Sequence, residues 1–401
     1  MAGFTRGARK RRPAALDLED SIDLLASLMR GASHVVFVTG AGLSTNAGIR
    51  DYRGPDGIWT EALAKGLVAG EPGSRANEAT PPPWDPAMYR LLPAAAPTLA
   101  HRAIALLVAR GRVAHVITQN EDALHLRAGL DPGRLSELHG NAFVEVCGGY
   151  ASGDSDGDMG DADSSSSSSD DDDDAGARAR DRKRRPAGCG AAVVRDFVCY
   201  HGDTYAKANA AGRHVTRRAC PRCRPLAPDA PPGAAAAGRG WLLDSTVDFG
   251  ESPGGFPWGR RNTVHNVDAA KESMRRVDLV VAWGTSLSIL ANYFDPWDRA
   301  SKWARKPLRL ARGKKCALAI VSRGRTFDED LAALKIDDDV DAIFAGLLAR
   351  LDLPTPPPYD FDADPFVRTA VPCTHDAPWT FATARADRLA GQVAGRAAAD
   401  K

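Results

Sequence analysis

The sequence predicts an α/β protein: a parallel sheet with helices on both faces and, interrupting it, a small cysteine-bearing module. Three observations predict this. Short apolar runs rich in β-branched residues, at Val35–Thr39, Val113–Thr118, Asp278–Trp283 and Cys316–Val321, alternate with helical segments, the β–α–β rhythm of a parallel sheet. The first run feeds directly into Gly40-Ala41-Gly42, a turn placed where parallel sheets bind ligands. Cys220 and Cys223 form a Cys-x-x-Cys pair between the second and third of these runs. A chain of 401 residues accommodates one large α/β unit carrying an insert and tails. The net charge of +1 gives no global field toward nucleic acid or membrane, and no apolar run of 18 residues exists to span a bilayer. The first residues lack the apolar centre of a secretory signal.

Residues 1–15 are basic and expected to be disordered; Arg9-Lys10-Arg11-Arg12 is a candidate nuclear import patch or simply a solvated terminus. Leu16–Arg30 reads as a helix, with Asp17 as N-cap, an apolar face of Leu18, Ile22, Leu25 and Met29, and Gly31 as its stop. The Val35–Thr39 strand follows. Gly40 and Gly42 allow close backbone approach, and Ser44 or Thr45 could cap a new helix, so the turn suits a phosphate. A tight turn without a ligand is the plainer reading. The dinucleotide fingerprint of dehydrogenases is incomplete, because Thr45 occupies the third glycine position and no strand precedes Glu61, which has the spacing of a ribose-binding acid. The long polar loop around Arg50–Gly57, with Tyr52 and Trp59, points to a nucleotide site of another kind.

Residues 70–86 read as an irregular excursion and Thr98–Arg110 as a helix closed by Gly111. The strand at Val113–Thr118 ends in Gln119-Asn120-Glu121-Asp122, polar residues that face the same crevice as the glycine turn. His139 follows in Glu137-Leu138-His139-Gly140-Asn141; alone, such a histidine is either a structural hydrogen-bonder or a base.

From Cys147 the composition changes. Acidic and serine-rich sequence runs through Asp170–Asp174 and passes into a basic block ending at Arg185, which cannot bury enough apolar surface to order. We read this block, about 150–187, as an insertion that splits a zinc knuckle, since a flexible loop of any length closes at modest entropic cost. Cys147 and Cys189 then join Cys220 and Cys223 as four thiolates of a structural Zn2+ site, with Cys199 the alternative to Cys189. Incidental thiols beside one Cys-x-x-Cys pair are the plainer alternative. Trp241–Glu251 is extended, Val267–Arg276 helical, and the strand at Asp278–Trp283 ends in Gly284-Thr285-Ser286, a second glycine–hydroxyl turn. Asp338–Leu351 reads as a closing helix and the Pro-rich remainder as a tail.

These motifs, taken in order, resemble the sirtuins. The residues that carry the likeness are GAGLSTNAGIRDYRGPDGIWT from Gly40, PTLAH at 97–101, QNED at 119–122, ELHGN at 137–141, VDFGE at 247–251 and GTSL at 284–287. The DYRGPDGIW stretch is similar to the class IV branch, which includes nuclear chromatin deacylases. The likeness spans about residues 16–353 without the insert. It implies a Rossmann-like domain in two parts, 16–146 and 241–353, a zinc module within 147–240, and a C-terminal tail over 354–401. It also implies an NAD-dependent protein-lysine deacylase, in which the acyl-lysine carbonyl oxygen attacks C1′ of the nicotinamide ribose and the acyl group passes to ADP-ribose. By motif, Gly40, Ala41, Gly42 and Thr45 line the NAD phosphates and ribose; Asp51, Tyr52, Arg53 and Trp59 belong to a mobile cofactor loop. Gln119 and Asn120 contact the ribose and Asp122 the nicotinamide carboxamide. His139 is the catalytic base, assisted by Asn120. Gly284, Thr285, Ser286, Ser322 and Val340 serve the adenosine half. Phe249, Gly250 and Glu251 flank the groove for an acyl-lysine protein, histones being the candidate substrates in the nucleus, with the charged insert a candidate chromatin contact.

The sequence departs from the family pattern at Arg50, where proline is usual, at Ser322, where asparagine is usual, at the bulky Trp283, and at the interrupted first cysteine pair. Two other functions use the same pocket: a protein mono-ADP-ribosyltransferase, and a non-catalytic NAD- or ADP-ribose-sensing chromatin module.

Overall fold

A computed structural model describes residues 16–54, 57–67, 87–147, 189–199, 214–222, 241–247, 263–287, 316–324, 326, 329, 332–372 and 379–388. The basic N-terminus, the charged insert, Cys223 and Phe249–Glu251 lie outside them.

Helix α1 (Leu18–Gly31) begins where Asp17 accepts the Asp20 N–H and buries Ile22, Leu25 and Met29. It delivers the chain to β1 (Val35–Thr39), whose five residues are all buried. A strand buried on both faces needs neighbours on both edges and layers on both sides. The edges are β2 (His115–Thr118) and β8 (Leu279–Trp283), both parallel to β1. Beyond them lie β3 (Leu135–Glu137) on one side and β9 (Ala317–Val321) and β10 (Leu334–Ile336) on the other, giving the order β10-β9-β8-β1-β2-β3. The order reverses between β1 and β8, the switch point at which doubly wound sheets open a crevice.

One face of this sheet packs on α1, α4 (Leu99–Ala109) and a late helix, α7 (Val340–Arg350); the other packs on α6 (Val267–Arg276). The unusual Trp283 belongs to the first core. It is fully buried, stacked on Phe344 with centroids 4.0 Å apart and tilted against Phe37 at 5.5 Å, so its bulk fills the interior. Pro97-Thr98-Leu99-Ala100-His101 opens α4 through a capping box, in which Thr98 and His101 satisfy one another's backbone groups.

The second sheet is antiparallel, in the order β5-β4-β7-β6, from β4 (Val144–Cys147), β5 (Ala192–Val194), β6 (Val215–Ala219) and β7 (Trp241–Asp244). At its heart the buried Glu145 accepts from Arg195 Nε at 2.5 Å and Arg218 Nε at 2.6 Å. The short helices are α2 (Ile58–Ala64), α3 (Ala87–Ala94) and α5 (Leu124–Arg127).

Three expectations are corrected. No α-helix follows the glycine turn; the chain makes two 3-10 turns, Ala41–Leu43 and Thr45–Ala47, and Gly48 ends them in the left-handed region. Ser44 holds the N-cap position of the second turn, but neither hydroxyl caps it: that of Ser44 is committed to Asp122 and that of Thr45 to the Gly42 carbonyl. The segment after residue 353 is not a simple tail. It forms α8 (Pro365–Thr369) and a helix over 381–388, buries Asp364, Phe366 and Phe381, and bridges to the β5 flank at Arg195–Val371 and Phe197–Thr380. Its Tyr, Phe and Asp residues crowd Tyr359–Phe366, where Asp364-Pro365 starts the helix, and with Phe381 they converge on one aromatic cluster with Phe143. Finally, Cys199 is not with the other thiols: it is buried with its Sγ toward the Phe197 carbonyl at 3.8 Å.

Candidate functional site

The carboxyl ends of β1, β2, β3 and β8 converge. Gly40 N–H donates to the Trp283 carbonyl and Gly42 N–H to that of Gly284, at 3.0 and 2.9 Å. The glycines of the two turns are therefore required by each other. A Cβ on Gly42 would lie 2.8 Å from the Gly284 oxygen, and one on Gly284, whose φ is +57°, would lie 2.3 Å from the Leu43 nitrogen. Thr285 Oγ1 donates to Gln119 Oε1 at 2.8 Å, which joins the β8 turn to the end of β2.

Asn120 and Asp122 are buried beside the first turn. Asn120 Nδ2 donates to the Gly40 carbonyl and to Ser44 Oγ, both at 3.1 Å. Ser44 Oγ donates in turn to Asp122 Oδ2 at 2.6 Å, and Asp122 Oδ1 accepts the Leu124 N–H at 2.9 Å. Burial raises the Asp122 carboxyl above its usual range, while its hydrogen bonds from Ser44 and Leu124 oppose the shift. Behind this node, Thr39 Oγ1 and His125 Nε2 share a hydrogen bond of 2.9 Å, and the rings of His125 and His101 lie 5.1 Å apart. Burial holds His125 down to about 3 and His101 well below its ordinary value, so both are neutral at pH 7 and do not repel. Ser44, Thr39, His101 and His125 are the site residues that motif reasoning did not assign. The PTLAH motif and the hydroxyl after the glycine turn were the available signals.

His139 stands where the two sheets meet. Its carbonyl accepts the Val247 N–H at 2.9 Å, and Asn141 exchanges two 3.0 Å hydrogen bonds with Ser245 Oγ. Gly140 has no room for a side chain, since a Cβ would lie 1.8 Å from the Ser245 carbonyl oxygen. Desolvation pushes the His139 imidazole down to about 4; a hydrogen bond with the Gln119 backbone opposes this and the Arg53 charge adds to it. The imidazole is therefore neutral at physiological pH and can accept a proton. Arg53 belongs to the loop that follows residue 50. That loop is pinned at its stem by Ile58 N–H to the Asp51 carbonyl and Trp59 N–H to that of Tyr52, and Arg53 sits 5.8 Å over the buried Trp59 ring. Arg50, in place of proline, pairs with Glu61 at 2.5 Å.

The residues expected at the adenosine half lie at the far side of the β8 turn. Gly284 N–H donates to Val321, Ser322 follows at the end of β9, and Lys335 Nζ donates to the Ser322 carbonyl. Val340 opens α7, whose N-cap Asp339 accepts from Asn46 at 2.9 Å.

In the small sheet Cys147, Cys189 and Cys220 bring their Sγ atoms within 4.8 Å of one another, with Cys189 and Cys220 at 3.6 Å. Tetrahedral thiolates at about 2.3 Å from Zn2+ stand roughly 3.8 Å apart, so the three fit a structural zinc site. Cys223, two residues beyond Pro221, lies outside the described residues.

The sequence matches the Sir2 family over residues 40–291. The chain belongs to the Sir2 family. Its similarity to the mouse NAD-dependent protein deacetylase sirtuin-7 is 30% identity over 370 residues, 91% of this chain and 69% of that one. The NAD-dependent protein deacetylase SRT1 of Oryza sativa subsp. indica is 30% identical over 341 residues, 85% of this chain and 50% of the rice protein. A solved structure of Sir2 bound to acetylated peptide aligns over 83% of this chain and 99% of its own, at 20% identity and a TM-score of 0.43. Within the Sir2 match fall the glycine turns, Asn120, Asp122, His139 and the cysteine cluster, whereas Ser322, Val340 and the structured C-terminal segment lie beyond it.

Proposed function

We propose that this protein is an NAD-dependent protein-lysine deacylase. The observation that carries the reading is the junction at His139, where a neutral imidazole, the Asn120–Asp122 node and both glycine turns share the open ends of one parallel sheet at its switch point. A dinucleotide suits this donor set of amides, hydroxyls and one carboxyl. When bound, NAD supplies an electrophilic ribose carbon with nicotinamide as leaving group.

The chain's own residues have separable roles. The Gly40–Gly42 and Gly284–Ser286 turns hold phosphates and adenosine ribose, with Thr45, Ser322 and Val340 beside them. Asp122 and Asn120 orient the nicotinamide end, and Gln119 is fixed for ribose by Thr285. His139 accepts the proton of a ribose hydroxyl at its imidazole. The loop carrying Asp51, Tyr52, Arg53 and Trp59 excludes water, which would otherwise capture the activated sugar. Phe249, Gly250 and Glu251 follow β7 in sequence and are assigned to the acyl-lysine peptide. Cys147, Cys189 and Cys220, with Cys223 as fourth ligand, would hold a zinc ion and with it the shape of the small sheet, away from the reaction.

Nuclear proteins, histones among them, are the proposed substrates. Supporting this are the basic run Arg9–Arg12 and the acidic and basic blocks between Asp154 and Arg185, which suit basic tails and nuclear import respectively. Mass spectrometry of NAD incubated with acetyl- and long-chain-acyl-lysine peptides tests the activity: free lysine with O-acyl-ADP-ribose is the expected outcome. ADP-ribose attached to protein, with the acyl group retained, would replace this reading with a transferase.

A further inference from the structure

Arg127 ends the single turn of α5, and its side chain is wholly buried. Three groups share its guanidinium: Asp364 Oδ2 accepts from Nε at 3.1 Å, the Tyr359 hydroxyl from Nη2 at 2.9 Å and the Leu92 carbonyl from Nη1 at 3.3 Å. The Tyr359 hydroxyl donates to the same Asp364 oxygen at 2.5 Å. The rings of Tyr359, Phe361 and Phe381 lie 5.5, 5.7 and 5.1 Å from the cation. Asp364 Oδ1 caps α8 by accepting from Phe366 and Val367. All these partners except Leu92 come from the C-terminal segment, beyond residue 291 where the Sir2 match ends.

The other end of α5 is the cofactor node. Asp122 accepts the Leu124 N–H, and the residue between them, Ala123, is held at φ +60°. A non-glycine residue adopts that conformation only where its surroundings impose it. A four-residue helix cannot impose it, having almost no stability of its own. Its placement depends on what grips it: Asp122 at one end, the Thr39–His125 hydrogen bond between, and Arg127 at the other end. A buried ion pair adds little to stability beside an apolar replacement, so the role of this one is sought in geometry.

We propose that the C-terminal segment, through Tyr359 and Asp364 acting on Arg127, is a brace that holds the Asn120–Asp122 loop in its cofactor-binding geometry. Arg127, Tyr359 and Asp364 are positioning residues, and the assignment rests on the reading of Asn120 and Asp122 given above.

The test uses the full chain with Tyr359→Phe and Asp364→Asn. Nicotinamide release is measured against NAD and against an acetyl-lysine peptide, alongside amide hydrogen exchange. A brace predicts that kcat/KM for NAD falls about ten-fold in Asp364→Asn and less in Tyr359→Phe, as expected for a slight misplacement of reacting groups. KM for the peptide stays unchanged, and exchange accelerates over residues 120–129 but not in α1 or α7. Arg127→Lys should fail in the same way, because a point charge does not match three acceptors around a planar guanidinium. Kinetics within two-fold of wild type in folded variants, with exchange over 120–129 unaltered, would overturn the proposal. So would acceleration spread evenly through α1 and β1, which marks a merely structural contact. If Asp364→Asn does not fold, Tyr359→Phe decides, since it removes one hydroxyl. A wild-type chain that releases no nicotinamide would sink the enzymatic reading instead, and the exchange comparison would still judge the brace.

Discussion

The parallel and antiparallel sheets are held together by opposite means. Around β1 the interior is aliphatic and aromatic, with Val36, Phe37, Val38, Val281 and Trp283 fully or almost fully removed from water. Around β4 the interior contains a thiol cluster, Glu145 between two arginines, and a His214–Asp244 pair at 3.2 Å. Apolar burial is insensitive to chelators, whereas polar and metal-based cores depend on every partner being present. The His139 imidazole lies on the seam between the two, so the larger sheet supplies a rigid platform and the smaller one a wall that metal loss can loosen.

Loss of the metal should separate the two sheets most. Removing zinc with a chelator, or replacing Cys220 by serine, withdraws on the order of 10 kcal/mol from the small sheet. Exchange protection should be lost in β4–β7 while α1 and β1 stay protected. Uniform loss through both sheets would show that they are one cooperative unit. Next is Glu145→Gln, which leaves two partly buried arginines facing a neutral group. We expect about 3 kcal/mol of destabilisation in chemical denaturation; a change under half that would mean water already solvates the pair.

Legibility divides along the same line. The elements of the parallel sheet follow local patterns: Asp17 caps α1, Thr98 caps α4, and the β-branched runs become strands within two residues of their expected ends. The candidate site was legible where the glycine turns and QNED follow predicted strand ends directly, and at ELHGN only through the family resemblance. Strands of three residues such as β3 and β10 carry too little periodicity to detect, and exist because a neighbour offers a ladder. The C-terminal segment was hidden for a further reason. Its order comes from Arg127, 237 residues from Asp364 in sequence, and no local pattern encodes a contact at that range.

Acidification sharpens the contrast from the other direction. His125 at about 3 and His115 and His139 at about 4 are all depressed by burial from 6.5. Below pH 6.5 the unfolded chain binds more protons than the folded one, so stability should fall as pH drops from 6.5 toward 4. Buried carboxyls with raised values, Asp122 and Glu137, act with the opposite sign and are relieved by acid. Denaturant midpoints measured between pH 7 and 5 should decline if the histidines outweigh the two carboxyls; a flat profile in a Glu137→Gln variant would mean the histidines are solvated. The smallest effect concerns the exposed Arg50–Glu61 pair at the loop stem. Arg50→Ala should raise KM for NAD by no more than about five-fold, a difference that disappears near 1 M salt. A larger, salt-independent change would mean that Arg50 itself touches the cofactor.

The most direct measurement compares wild type with His139→Ala in two readings, NAD binding by calorimetry and nicotinamide release with an acetyl-lysine peptide. Binding should persist, while release falls by roughly 100-fold or more, the contribution of a general base. Release near the wild-type rate would remove the imidazole from the chemistry and with it the function assigned to this seam.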